Sequence, residues 1–123
     1  MLIVAFIILG TAVLLGSVLA VLHLHKEGAA AAPWPFAALH GLLAIGGFSC
    51  LVLGLREPPR GVDQGVASFG AIAAALIGSA AVIGVGLFVT HLLKRRLPGM
   101  LIGIHATLAV GGFVVLIVYV FPG

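Results

Sequence analysis

The stretch LHGLLAIGGF, Leu39–Phe48, is the most informative part of this chain, and it returns near the end as IHATLAVGGF, Ile104–Phe113. His, Leu, Ala, Gly, Gly and Phe keep the same spacing in both copies. Both copies lie inside long apolar segments, where an imidazole is costly unless it has a partner. The paired histidines, His40 and His105, are therefore the first candidates for a functional site.

The composition indicates a membrane protein. Of 123 residues, 63% are hydrophobic and only 7% are charged, whereas a soluble domain has about 25% charged residues. One crossing takes about 20 apolar residues, so the length suits four helices in a single transmembrane domain, residues 1–123. No room is left for a catalytic module outside the bilayer. Cys50 lies in the middle of an apolar segment, and we interpret it as a core residue.

The apolar runs predict the fold class, an all-α membrane protein with four transmembrane helices in an up-down bundle. Turn-rich and charged segments separate the runs, and Pro58 and Pro59 prevent the second helix from continuing. The predicted helices are Leu2–Leu24, Pro35–Leu55, Val66–Leu93 and Met100–Phe121.

An internal repeat relates the two halves of the chain. The third run matches the first at a distance of 68 residues, as Gly16 and Gly84 do, and the fourth matches the second at 65 residues, as His40 and His105 do. The sequence therefore predicts two tandem helical hairpins, repeat 1 at 1–57 and repeat 2 at 66–123. Because each repeat crosses twice, a pseudo-twofold axis should run along the membrane normal.

Basic residues in the short loops predict the orientation. The first and third loops hold more Lys and Arg than the second, so loops 1 and 3 should be cytoplasmic and both termini outside. This orientation is expected for an integral protein of a bacterial inner membrane. The cations of loops 1 and 3 are Lys26, Lys94, Arg95 and Arg96, and those of loop 2 are Arg56 and Arg60.

Each predicted helix carries one histidine that belongs to the repeat, and all four fall toward the side of loops 1 and 3. A glycine stands seven residues from each, toward the bilayer centre, so that His and Gly share a helix face about 10 Å apart. The four pairs are His23 with Gly16, His40 with Gly47, His91 with Gly84, and His105 with Gly112.

Three interpretations fit this pattern of imidazoles and small residues. Glycines permit close helix packing, and a membrane histidine can form a hydrogen bond across an interface. Alternatively, histidines ligate a tetrapyrrole, haem or a chlorophyll-type pigment, and the small residues leave space for its flat ring. In the third, four histidines bind bare zinc or copper, but this leaves the glycines unexplained. We favour haem b, with one or two per chain.

Geometry selects the first ligand pair. Neighbouring helices lie about 8 to 10 Å apart, which is too close for a bis-imidazole haem, so the ligands should come from a diagonal pair. Helices 2 and 4 form one diagonal, and His40 and His105 are the predicted axial ligands. His23 and His91 form a second pair, which either ligates a second haem or lies beside the propionates or lipid headgroups.

Two lysines are candidate partners of haem propionates. Lys26 and Lys94 each stand three residues after a repeated histidine, His23 and His91. The positive-inside rule alone accounts for them equally well.

The chain resembles small membrane cytochromes b in two motifs, HxxLAxGGF in helices 2 and 4 and GxxxxxxH at the ends of helices 1 and 3. The resemblance implies a haem b-binding electron-transfer protein or a subunit of a larger membrane redox complex, rather than an enzyme alone. Because all candidate ligands lie on one side, we expect partners that continue the electron path, either other redox subunits or a homo-oligomer. Quinone is a further candidate partner. The alternatives are an accessory structural subunit and a chlorophyll-binding antenna protein.

Other classes of function lack the residues they need. All three acidic residues, Glu27, Glu57 and Asp63, fall in loops, which argues against an ion-coupled transporter. No nucleophile–base–acid set and no glycine-rich phosphate loop occurs, and we expect no nucleic-acid partner.

Overall fold

The chain folds into four long α-helices in a computed structural model that describes residues 1–25 and 33–123. Each helix is long and apolar enough to cross a membrane. The predicted helical class and the four membrane-spanning segments are confirmed, and the chain is an integral membrane protein surrounded by lipid. The helices are α1 (Leu2–His25), α2 (Trp34–Gly54), α3 (Phe69–Leu92) and α4 (Gly99–Val120).

The third helix begins at Phe69, three residues later than the sequence predicted. Gly61 and Gly65 have φ values of +67° and +72°, a conformation that glycine adopts without steric cost. The amide of Val66 donates to the carbonyl of Gly61 at 2.9 Å. Val66 therefore closes a loop and does not start the helix, although its side chain continues the apolar run.

The four helices form a closed ring of neighbours. Helix α1 packs against α2 and α4, and α3 packs against α4 and α2. Within the described residues, the backbones of α1 and α3 do not meet, nor do those of α2 and α4. These two pairs are the diagonals of the bundle.

The tightly packed core occupies one half of the bundle. Leu51 and Leu116 are fully buried there, and the buried part of each odd helix stops at Ala12 in α1 and Ala80 in α3. Beyond those positions, in the half that contains His40 and His105, none of the described residues is buried. The fully buried residues of the described chain therefore all lie in the half away from the histidines.

The loop between α2 and α3 is fastened to the end of α4. The Nη1 atom of Arg60 donates to the carbonyl of Val120 at 2.9 Å, one of the carbonyls that the end of a helix leaves without a helical partner. At the same end of the bundle, the ammonium group of Met1 lies 3.3 Å from the carboxylate of Glu57.

Candidate functional site

The imidazoles of His40 and His105 meet across the diagonal between α2 and α4. Their ring centroids are 6.0 Å apart and their planes lie at 81° to each other. Both side chains are partly buried. No backbone contact joins α2 and α4 in the described ranges, so these two side chains reach toward each other across the interior.

Each imidazole is held by a main-chain carbonyl of the helix that precedes it. The Nδ1 atom of His40 lies 2.9 Å from the Ala12 oxygen, and that of His105 lies 2.8 Å from the Ala80 oxygen. A carbonyl only accepts hydrogen bonds, so Nδ1 carries the proton in both rings. The Nε2 atom of each neutral imidazole then has a free lone pair, the form in which histidine binds a metal.

Gly16 and Gly84 make these hydrogen bonds possible. A helical side chain covers the turn that precedes it, so a glycine four residues after Ala12 or Ala80 leaves that carbonyl uncovered. The imidazole fills the opening. A Cβ atom on Gly16 would lie 2.7 Å from Cε1 of His40, and one on Gly84 would lie 2.9 Å from Cε1 of His105.

Gly47 and Gly112 likewise receive side chains from a neighbouring helix. A Cβ atom on Gly47 would lie 2.7 Å from Cγ of Leu9, and one on Gly112 would lie 2.8 Å from Cγ1 of Ile77. The sequence predicted that glycines leave room for a macrocycle, but protein atoms occupy the space beside these two glycines and beside the two that face the imidazoles. Their observed role is close helix packing, and a contact with a cofactor stays a prediction.

The second histidine pair does not join the first. His23 is exposed and His91 is half-buried. In the part of the chain that the structure describes, no three His, Cys, Asp or Glu side chains are grouped as metal ligands. The arrangement therefore gives no support to a site of four histidines around bare zinc or copper. Ligation of a second haem by His23 and His91 stays a prediction.

Of the two lysines predicted to face propionates, only Lys94 falls in the described ranges. Lys26 lies outside them. Lys94 is exposed and has a φ of 53°. Its amide donates to the His91 carbonyl at 3.0 Å, and the next amide, of Arg95, donates to Thr90 at 3.1 Å. This is the Schellman arrangement that closes a helix, with lysine where glycine is usual.

The sequence did not predict that the carbonyls of two alanines hold the imidazoles. The signal was present, because Ala12 precedes Gly16 by four residues and Ala80 precedes Gly84 by four, in matching positions of the repeat. Alanine carries no polar side chain, so the pattern indicated packing alone.

Comparison with protein-family models, with curated proteins and with solved structures finds no match for this chain.

Proposed function

We propose that the chain is a membrane electron-transfer protein that binds one haem b between His40 and His105. One observation carries the proposal. Two imidazoles from diagonal helices meet in the bundle interior, and each is held through Nδ1 so that Nε2 is free.

The distance between the rings fits two imidazoles on opposite sides of one metal ion, and it also lies in the range of an ordinary edge-to-face ring pair. A metal–imidazole bond is about 2 Å long, and a ring nitrogen lies about 1 Å from its ring centre when ring bonds are about 1.3 Å. Two imidazoles that share one metal ion therefore have their centroids roughly 6 Å apart. The observed separation of His40 and His105 is 6.0 Å.

The carbonyls of Ala12 and Ala80 orient the two imidazoles by accepting hydrogen bonds from their Nδ1 atoms. Ligating histidines usually donate their second nitrogen to a carbonyl or carboxylate, which fixes the tautomer, orients the ring and makes the ligand more basic. Haem held by His40 and His105 would supply an iron that gains and loses one electron.

The distribution of buried residues is compatible with a prosthetic group in the histidine half. All described buried residues belong to the other half, and none lies on the histidine side of Ala12 and Ala80. A bound ring would bury the partly exposed side chains of this half, as native cores pack densely.

We also infer the finer architecture, an up-down bundle of two hairpins about a pseudo-twofold axis. Matched contacts support it. Gly10 of α1 faces Phe113 of α4, and the corresponding Gly78 of α3 faces Phe48 of α2. The bonds from Ala12 to His40 and from Ala80 to His105 correspond in the same way.

The charges support the proposed orientation, with loops 1 and 3 in the cytoplasm of a bacterium. Lys94, Arg95 and Arg96 are exposed at the histidine end, and basic loops favour the cytoplasmic side. At the other end the guanidinium group of Arg60 binds a carbonyl of α4.

A second candidate function, an accessory transmembrane subunit, is favoured by the packing of the glycines. His40 and His105 hydrogen-bond to neighbouring helices and fill the space beside Gly16 and Gly84. Helix–helix adhesion of this kind stabilises membrane proteins without a cofactor, and the packing surfaces of such a subunit would serve larger partners.

Asparagine variants separate the two functions. The amide nitrogen of asparagine takes the place of Nδ1, so a His40→Asn, His105→Asn double variant keeps a donor for both carbonyls but lacks Nε2. Electron transfer through haem predicts a folded protein without the α and Soret absorption bands of the parent chain. A double variant that keeps these bands removes both residues from the ligand role.

His25→Asn is the matched control for loss of an imidazole. His25 is exposed, and its Nδ1 atom bonds to Val21 of its own helix at 3.0 Å. We expect unchanged absorption bands in this variant. If the parent chain is colourless and the double variant folds and assembles normally, the accessory function is favoured.

A further inference from the structure

A hollow opens between α1 and α4 at the histidine end of the bundle. Its volume is about 230 Å³. Its lining is apolar except at His23, whose side chain is exposed. We call it the α1–α4 hollow, and its lining residues are Ala20, His23, Gly99, Ile102, Gly103 and Ala106.

The hollow breaks the symmetry of the repeat. Ala20 and Gly99 line it, and the matching positions of the repeat, in α3 and at the start of α2, hold Phe88 and Trp34. Two large aromatic residues thus stand where the α1–α4 side has a methyl group and a hydrogen atom. The small residues of the α1–α4 side leave an apolar recess that opens toward the surrounding lipid.

Three exposed cations lie in the loop that leads into α4, the helix that lines one side of the hollow. Lys94, Arg95 and Arg96 are exposed and immediately precede α4. Arg96 is three residues from Gly99, so their Cα atoms are at most about 10 Å apart. Among the described residues, the acidic ones are Glu57 and Asp63; both precede α3, and that helix of 24 residues separates them from this cluster along the chain.

We propose that the α1–α4 hollow binds an anionic phospholipid of the bilayer. An acyl chain fills the apolar recess, and the phosphate headgroup lies against Arg95, Arg96 and the imidazole of His23. Basic pockets between transmembrane helices select anionic headgroups in this way. Charge complementarity, together with an apolar recess that faces lipid, favours a phospholipid over a second protein chain.

Native mass spectrometry of the purified chain tests the proposal. The chain is mixed with equal amounts of palmitoyl-oleoyl phosphatidylglycerol, which is anionic, and palmitoyl-oleoyl phosphatidylcholine, which is neutral overall. We expect phosphatidylglycerol to be the first lipid retained. Equal retention of the two lipids would overturn the proposal.

Two variants test separately the contribution of the headgroup contact and that of the apolar recess to lipid binding. In an Arg95→Gln, Arg96→Gln variant, preference for phosphatidylglycerol should fall by at least about tenfold, because each cation near an anionic headgroup contributes about fivefold. An Ala20→Phe, Gly99→Trp variant places the matching aromatic residues of the other repeat in the recess. It should retain one lipid fewer per chain than the parent, whether the lipid is phosphatidylglycerol or phosphatidylcholine.

Matched controls lie at the other end of the bundle and on another helix face. Arg56→Gln removes an exposed cation at the end of α2, and Gly46→Phe adds an aromatic ring at an exposed position of α2. Both should retain phosphatidylglycerol as the parent does. Equal loss in the controls would show non-specific binding and contradict a site. The measurement needs no haem, so its outcome is independent of the proposed electron-transfer function.

Discussion

The Cε1 atom of His105 lies 2.9 Å from the position that a Cβ atom on Gly84 would occupy, closer than two carbon atoms pack. A Gly84→Ala substitution must therefore displace the imidazole from its bond to Ala80. Such bonds in membranes contribute roughly 0.6 to 1.7 kcal/mol, so we expect the free energy of unfolding of Gly84→Ala to be about 1 kcal/mol lower than that of a Gly86→Ala control, which has the same gain in helix propensity. Reversible unfolding in mixed detergent micelles measures it.

Gly86→Ala is the matched control on the same helix. No atom lies within 4 Å of a Cβ atom built on Gly86, and alanine is favoured over glycine inside a helix by up to about 1 kcal/mol. We expect an unchanged or slightly higher stability. Equal destabilisation by both substitutions would show that His105 is not held by the opening at Gly84.

At the end of the bundle away from the histidines, each hairpin packs one large side chain against a glycine. The helix that carries the glycine differs between the two repeats. Gly54 of α2 receives Leu2, whereas in the second hairpin Gly70 of α3 receives the ring of Tyr119 and, closer still, the side chain of Leu55. Leu2 matches Gly70 in the repeat, and Gly54 matches Tyr119. Gly70→Leu alone overpacks the site and should cost about 3 kcal/mol or more.

A Gly70→Leu, Tyr119→Gly double variant installs the first hairpin's pair in the second hairpin. We expect it to recover at least about 1 kcal/mol relative to the sum of the single substitutions. The same detergent unfolding assay, applied as a double-mutant cycle, measures the coupling. Strict additivity would mean that Leu55, and not Tyr119, is the residue that excludes a side chain at Gly70.

Lys94 adopts a left-handed conformation at the end of α3, with a φ of 53°. A side chain in this conformation costs roughly 1 to 2 kcal/mol, and glycine avoids the cost. Lys94→Gly should therefore raise stability by about 1 kcal/mol, whereas Lys94→Ala, which removes the charge but keeps a Cβ atom, should change it little. A gain in Lys94→Ala equal to that in Lys94→Gly would assign the effect to charge.

Arg60 links the second loop to the last turn of α4 through its 2.9 Å hydrogen bond to Val120. A hydrogen bond from a charged group contributes about 1.5 to 3 kcal/mol when buried, and this arginine is exposed, so we expect Arg60→Gln to cost about 1 kcal/mol. Arg56→Gln removes an exposed cation from the same loop and should cost less. Hydrogen exchange of the last turn of α4 measures the local loosening. Unchanged exchange in Arg60→Gln would show that the hydrogen bond from Arg60 to Val120 does not stabilise this turn.

The apolar runs were sufficient to predict four helices, because helix formation in a bilayer depends on length and hydropathy. The helix α3 begins three residues after the predicted start near Val66, because hydropathy does not show that Gly61 and Gly65 turn the backbone before the helix begins. Spacing alone also suggested that His40 and His105 face one interior. Their juxtaposition is observed, and their ligand role stays a prediction.

The sequence could not identify the carbonyls of Ala12 and Ala80 as hydrogen-bond acceptors, because every residue has a carbonyl. Only the three-dimensional path of the neighbouring helix determines which carbonyl meets the imidazole. The side chains that pack beside Gly47 and Gly112 could not be predicted from the sequence for a related reason. A glycine indicates that something comes close, but the sequence does not say whether a cofactor or a leucine does so.

The most direct test of the central claim is a pyridine haemochrome assay on the chain purified from the membrane, with haem counted against protein. Haem b held between His40 and His105 predicts about one haem b per chain. A chain that is folded, as judged by helical circular dichroism, but contains no iron tetrapyrrole contradicts the proposal.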